Sequence, residues 1–401
     1  MLDGVRILDL TWVLGGPYAT MLLAQLGADV IKVETAAGDM ARRIPPYYVE
    51  GDSTFFLSVN RGKRSIALDL KHAEGAEAFR DLVRHADAVL YNMTPSAPRR
   101  LGIDHASLLA VNPKICVGEM IGLHDDGAYA SFPAFDLSIQ ALGGVMSITG
   151  EPDGKPVRVG YQIADLAGGL YLALGTVAAI MRALKSGSGQ HVQTSLLDCQ
   201  IALLTWQAQN YFVSGEVPGR LGARHPMIAP SDGFHGSDGA HFVVSPSEIF
   251  WKPFCRSIGR ADLIDDPRFA TASERIAHVT ELADELQATF RGKPAAEWIA
   301  MMGRDQVPAA MVNSVADALA EPVVGLRNML ETIVNPATGI PMQFLGNAFK
   351  YGAAKPLGYP PRIGEHTDEV LREVCGYDAA RIAALARAGA VTLGPGRRDD
   401  P

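Results

Sequence analysis

Residues 159–175 read VGYQIADLAGGLYLALG, and one carboxylate, Asp165, stands at the head of that long apolar run. Two readings share the same geometry. An aspartate just before a small, apolar helix is what an N-cap residue looks like. A carboxylate kept ionised by a helix N-terminus can equally act as a nucleophile on an activated acyl group. Gly168 and Gly169, with Gly143 and Gly144, would let backbone and a bulky ligand come close, or simply let helices pack tightly. Other chemistries lack their residues. No histidines pair at i, i+4 with a cysteine partner, so no metal set is expected, and no GxSxG elbow supports a serine nucleophile. Carboxylate chemistry is the best candidate.

A second set of residues could hold phosphates. Arg61, Lys63, Arg64 and Lys71 cluster in NRGKRSIALDLK, and Arg99 and Arg100 follow. On a chain with a net charge of -8, two such clusters suit a multiply phosphorylated ligand, coenzyme A being one, because guanidinium groups grip phosphate oxygens in bidentate fashion. Solvated loop charge is the plainer alternative. A dinucleotide site is a third idea, since Glu34 lies about 20 residues after a glycine turn. The turn reads LGGPYA rather than GxGxxG, however, and Pro17 removes a backbone N–H that should face the pyrophosphate. That argues against an NAD-dependent dehydrogenase.

The elements that must position these residues alternate. A strand at 5–9, a Gly-Gly-Pro turn, a helix at 18–26 and a strand at 29–33 make a βαβ unit. Strand-like 65–70, an amphipathic helix at 74–86, and strands at 87–92 and 115–120 continue the pattern, so the first 120 residues predict a doubly wound α/β domain. The Asp165 run and a strand-to-helix piece, HVQTSLLDCQIALLTWQAQNYF, complete it. From about 215 turn formers dominate. The expected division is a large domain at 1–224, a smaller one at 225–325, and a return to the first at 326–401 by extended chain and two helices, ending in a disordered tail, LGPGRRDDP.

Composition sets bounds. Hydrophobic residues at 48% and charged residues at 20% describe a well-packed globular protein. The acidic balance argues against nucleic-acid binding, which needs a basic face. Four scattered cysteines without a CxxC pair suit a reducing cytosol. The apolar run from Leu166 to Met181 falls short of the roughly 20 residues of a membrane span and reads as a buried helix.

Taken in order, LDGVRILDLTWVLGGPYATMLLAQLGADVIKVE, GDMAR, NRGKRSIALDLK, the Asp165 segment and GSGQHV resemble the family III CoA-transferases, the CaiB/BaiF family, over nearly the whole chain. The resemblance implies a Rossmann-like large domain with a parallel sheet, a smaller α+β domain and an interlocked homodimer. It implies no permanently bound cofactor: coenzyme A arrives as an acyl-CoA substrate, with a small carboxylic acid as acceptor. Asp165 would attack the thioester to give a mixed anhydride, and transfer would pass through an aspartyl-CoA thioester. Residues matching Leu68, Lys71 and Arg100 border the CoA nucleotide in relatives, and Phe135 matches an acyl-pocket residue, with Leu14, Gly15 and Gly16 placed in the same pocket.

Departures bear on substrate. Formyl-CoA transferases carry Gln where this chain has Leu14 and Tyr where it has Phe135, which weighs against formate and oxalate. The α-methylacyl-CoA racemase branch carries a His-Asp pair where this chain has Ala134-Phe135-Asp136, so two-base proton transfer lacks a base. Arg158 and Gln162 precede Asp165 closely and are expected to meet the distal carboxylate of a dicarboxylic acyl group such as succinyl. A CoA-binding protein without catalysis is the non-enzymatic rival.

Overall fold

The computed structural model describes residues 1–130, 132–352 and 356–394; residues 395–401 of the expected disordered tail lie outside them. The chain forms two compact units. Met1–Gly143, Gly160–Thr205 and Gly325–Pro401 make the first; Gly144–Val159 and Trp206–Val324 make the second. The second unit therefore starts earlier than the sequence suggests and takes in the segment 144–159. The turn formers after residue 215 lie inside it, and the division falls instead at Thr205, which has a left-handed backbone with φ 41°.

In the first unit, β1 (Arg6–Leu10), α1 (Gly15–Gln25) and β2 (Asp29–Glu34) form the expected βαβ unit. A short hairpin, β3 (Tyr48–Val49) and β4 (Asp52–Ser53), and α2 (Thr54–Val59) lead to β5 (Arg64–Leu68) and α3 (Ala73–Arg84). Then come β6 (Ala88–Tyr91), α4 (Ala97–Leu101), α5 (His105–Val111), β7 (Cys116–Ile121) and α6 (Asp136–Leu142). The Asp165 run is α7 (Ile163–Ser186), followed by β8 (His191–Ser195) and α8 (Leu196–Ala202).

The strands are nearly all apolar because both sheet faces are covered. One face packs Leu8, Ile31, Ile66 and Val89 against Phe79 and Leu82 of α3; the other packs Ile7, Val30, Leu90 and Cys116 against Leu22 and Leu23 of α1 and Leu172 and Ile180 of α7. At 24 residues, α7 is long and apolar enough, by length and composition alone, to cross a membrane, so the sequence-based length argument fails. It packs against α1, β7, β8 and α8, with half of its most apolar stretch buried.

The second unit contains α9 (Thr205–Ser214, its first residue in the first unit), β9 (Asp232–His235), β10 (His241–Val244), α10 (Trp251–Ser257), α11 (Ala272–Ala277), α12 (Val279–Phe290), α13 (Ala295–Arg304) and β11 (Ala309–Met311). The antiparallel sheet β11-β10-β9 rests on an aromatic core in which Phe290 meets Phe234 and Phe242, each at 5.0 Å between ring centres, and Trp298 at 5.4 Å. Short helices α14 (Val315–Ala320) and α15 (Pro322–Leu326) return the chain to the first unit. There a hairpin, β12 (Leu330–Val334) and β13 (Pro341–Leu345), precedes the two expected helices, α16 (Thr367–Cys375) and α17 (Ala379–Arg387). A last strand, β14 (Val391–Thr392), joins the sheet antiparallel to β5. The order is β14-β5-β2-β1-β6-β7-β8, with every other pairing parallel.

Candidate active site

Strand order reverses between β1 and β6, the place where doubly wound sheets leave a crevice at their carboxyl ends. A cavity of 370 Å³ lies there, lined by Leu10 at the end of β1 and Trp12 beyond it, Val33 and Glu34 of β2, Leu68 at the end of β5 and Lys71 beyond it, and Asn92 and Arg100 after β6. Leu68, Lys71 and Arg100 thus converge, although Arg100 lies 29 and 32 positions from the other two in the sequence. Lys71 and Arg100 are exposed, and neither forms an ion pair among the described residues, leaving two cations open to a phosphorylated ligand.

The remaining basic residues of NRGKRSIALDLK are engaged elsewhere, a correction to the phosphate-binding expectation. Arg61 is buried, pairs with Glu331 at 2.6 Å and lies over the Phe344 ring. Lys63 is fully buried and donates to Asp9 at 2.9 Å, Asn60 at 2.8 Å and the carbonyl of Pro17 at 3.0 Å. Arg64 pairs with Asp29 and Glu373. Glu34, the residue that would serve a dinucleotide ribose, is held by Arg42 at 2.7 Å and by the Ser65 hydroxyl.

The Lys63–Asp9 and Arg42–Glu34 pairs belong to a buried lattice of charge beneath the turn after β1. Burial alone would raise the Asp9 carboxyl, but Lys63 and Lys32, with the hydroxyls of Thr11 and Thr20, outweigh it and hold Asp9 down at about 2. Lys32 pairs with Asp39 at 3.0 Å and donates to the carbonyl of Thr11 at 2.8 Å. Asp39 also accepts from the backbone N–H of Val13, a β-branched residue at φ 69°. Such a conformation is strained and needs outside support, and Asn92 adds to it by bonding both the N–H and the carbonyl of Trp12. Leu14 is buried at the end of this turn.

The turn delivers α1 against α7. A Cβ on Gly15 would come within 2.8 Å of the Asp165 carbonyl oxygen, and one on Gly169 within 2.5 Å of the Gly15 carbonyl oxygen. A Cβ on Gly16 would strike Thr11 at 2.4 Å. The glycines are therefore what allows the two helices to touch beside the carboxylate.

Asp165 is not the N-cap. Gln162 holds that position, with no side-chain cap bond, and Asp165 is the third residue of the helix. Among the described residues no donor hydrogen-bonds its partly buried carboxylate. Burial pushes its pKa up, and the neighbouring charge of Asp136 adds to the rise, to about 7. Sequence reasoning passed over Asp136, naming it only beside the missing histidine. Its Oδ1 accepts the Ala164 N–H at 2.9 Å and its Oδ2 accepts from Gln140 at 2.6 Å. The one available signal was a carboxylate opening the short helix DLSIQAL, with a glutamine four residues on.

Phe135, just before α6, is 70% exposed. Arg158 lies in the second unit, exposed, and donates to the carbonyl of Val159 at 3.1 Å. Among the described residues no group of three or more His, Cys, Asp or Glu side chains is arranged to hold a metal ion.

Comparison with known proteins supplies a context for this geometry. The family model of CoA-transferase family III matches residues 2–367. A succinate–glutarate CoA-transferase of Agrobacterium fabrum is 36% identical over 386 residues, covering 93% of this chain and 95% of that protein. A succinyl-CoA:mesaconate CoA-transferase of Haloarcula hispanica is also 36% identical, over 93% and 96%. Among solved structures, a CaiB/BaiF family protein from Brucella suis superposes with a TM-score of 0.81 at 35% identity, covering 93% of this chain and 99% of that one.

Proposed function

Because the chain belongs to CoA-transferase family III, we propose that it moves coenzyme A between small dicarboxylic acids, with Asp165 as the covalent nucleophile. The observation that carries the reading is the Asp165 carboxylate itself: no donor among the described residues holds it, burial makes it basic, and it stands where α1 and α7 meet through glycine. A carboxylate placed only for stability would be bonded.

The steps balance without oxidant or ATP. Ionised Asp165 attacks the thioester carbonyl, the C–S bond breaks, and CoA leaves as thiolate from a mixed anhydride. The thiolate attacks the aspartyl carbonyl, releasing the first acid and leaving an aspartyl-CoA thioester. The acceptor carboxylate attacks that thioester to form a second anhydride, and the thiolate returns to the acceptor's acyl carbon, regenerating Asp165. Water must be kept out while an anhydride exists, which the apolar surroundings of Asp165 favour. Lys71 and Arg100 would hold the CoA phosphates at the cavity mouth. Trp12 lines that cavity and Gly15 touches Asp165, so one short turn runs from the nucleotide end of the site to the acyl end.

The choice of dicarboxylic acids rests on the relatives, whose names specify succinate, glutarate and mesaconate. The interlocked homodimer belongs to the same proposal. It is supported by an apolar stripe on α7, where Leu170, Leu174, Met181 and Leu184 are each at least half exposed. Four free cysteines suit a reducing compartment.

The test is to incubate the protein with succinyl-CoA or glutaryl-CoA, quench in acid, and map peptides for a hydroxylamine-sensitive adduct. The expected adduct is on Asp165 and is missing from Asp165→Asn. Rapid CoA transfer with no adduct on Asp165 would overturn the mechanism.

A further inference from the structure

A helix begins with backbone N–H groups that have no partner inside the helix, and its own N-cap side chain usually meets one of them. In α7 that side chain is Gln162, which makes no such bond. The Ala164 N–H is met instead by a carboxylate from a different helix, Asp136 of α6, at 2.9 Å. Asp136 is only 8% exposed, and Gln140, fully buried one turn further along α6, fixes its other oxygen at 2.6 Å. A buried carboxylate held from both sides has one orientation, and it bonds the residue immediately before Asp165.

The surroundings isolate this pair. The titratable groups on the elements packed against α7 are Tyr18 on α1, Asp136 on α6, Asp198 and Cys199 on α8, Cys116 and Glu119 on β7, and His191 on β8. Glu119 and His191 pair with each other at 3.0 Å. Tyr171, Arg182 and Lys185 lie about two to six turns further along α7 itself. Of all these, Asp136 is the charge that acts on Asp165.

We propose that Asp136 is a positioning residue that favours the covalent intermediate: it pins the first turn of α7 and sets a fixed negative charge beside Asp165, so that acylation of Asp165 relieves a repulsion. The inference rests on the function proposed above. Its logic is linkage. Acylation and protonation both neutralise the Asp165 carboxylate, so a neighbour that makes the proton bind more tightly also makes the acyl group bind more tightly, by about the same factor. A more basic carboxylate is also the better nucleophile near neutral pH.

Asp136→Asn separates charge from shape. The amide oxygen can still accept from Ala164, and the Gln140 amide can turn to accept from the new NH2 group, so the cap survives while the charge goes. Two quantities are measured. One is the pH at which the Asp165 carboxyl band titrates in infrared difference spectra against Asp165→Asn, without substrate. The other is the fraction of Asp165 acylated at saturating succinyl-CoA. In Asp136→Asn the titration should move down by about one pH unit, and the ratio of acylated to free Asp165 should fall by about the matching factor of ten. A folded variant with an unmoved titration, or a moved titration with unchanged occupancy, overturns the proposal. Wild type alone provides a check should the variant not fold, because an Asp165 band that titrates near 4 also overturns it. If the band moves as expected but wild type forms no adduct, the transferase mechanism fails while the coupling of the two carboxylates stands.

Discussion

Gly169 is the place where one methyl group should do most damage. Its Cβ would sit 2.5 Å from the Gly15 carbonyl oxygen and 3.0 Å from the Tyr18 ring, whereas ordinary contact begins at 3.4 Å. Both neighbours belong to α1, and the nearer atom is backbone, so in Gly169→Ala the two helices must part by about 0.9 Å. Overpacking of this kind costs about 1–3 kcal/mol. Alanine recovers about 1 kcal/mol through its better helix propensity, leaving a net loss of about 0–2 kcal/mol. Activity should suffer more than stability. The part that moves is Gly15, which touches Asp165, and a displacement near 1 Å at a reacting centre costs up to about a hundredfold in rate. Gly168→Ala is the control, because its Cβ would meet only the side-chain ends of Leu196 and Met120, which can rotate away. Urea-unfolding midpoints and kcat for CoA transfer, measured on both variants, decide the matter. A Gly169→Ala protein with wild-type kcat, or a Gly168→Ala protein that is the worse of the two, would refute the argument.

The two sets of basic residues should behave differently. Lys71→Ala and Arg100→Ala should each raise KM for acyl-CoA about tenfold with little change in kcat, while Lys63→Met, which strands the buried Asp9, should instead destabilise the fold by about 3–5 kcal/mol in urea titrations. Asp165 also leaves a signature in stability against pH. Its folded-state pKa, about 7, lies above the ordinary 3.8, so the folded protein holds this proton more tightly than the unfolded chain, and stability from this group is full below about pH 3.8 and lost as pH rises through 7. Asp165→Asn should therefore be more stable than wild type at pH 8, with the advantage vanishing near pH 4. Thermal unfolding of the two proteins across that range measures it, and equal melting temperatures at pH 8 would count against a raised Asp165 pKa.

Much of the first unit is readable from its residues. The alternation of short apolar strands with helices gives β1, β2, β5, β6 and β7 within a few residues, because a sheet covered on both faces writes itself as continuous apolar runs. Asp165 stands out because it is the lone charge at the head of a long apolar helix. Lys63 and Arg64 show where such reading fails. A run of basic residues at a strand edge does not say which of them turn inward, and Lys63 finds Asp9 from across 54 positions. The clue was on the partner strands, where Asp9 interrupts RILDL and Lys32 interrupts DVIKVE: a charge at an inward position of a buried strand requires a partner. The role of Asp136 is hidden for a related reason, since a cap supplied by another helix leaves no local pattern. β14 is two residues long, too short to show periodicity, and only its pairing with β5 identifies it.

That last strand has a consequence for how the protein is made. β5 is synthesised within the first 70 residues, yet its outer edge receives β14 only when residues 391–392 arrive. The second unit, whose main segment is Trp206–Val324, is translated in between and has its own aromatic core. On a ribosome adding about 5–20 residues per second, the edge of β5 waits unpaired for about 15 to 60 seconds. During that interval it presents free backbone N–H and carbonyl groups to any other nascent chain. The order of events is therefore nested: the unit that carries Asp165 is begun before the second unit and completed after it.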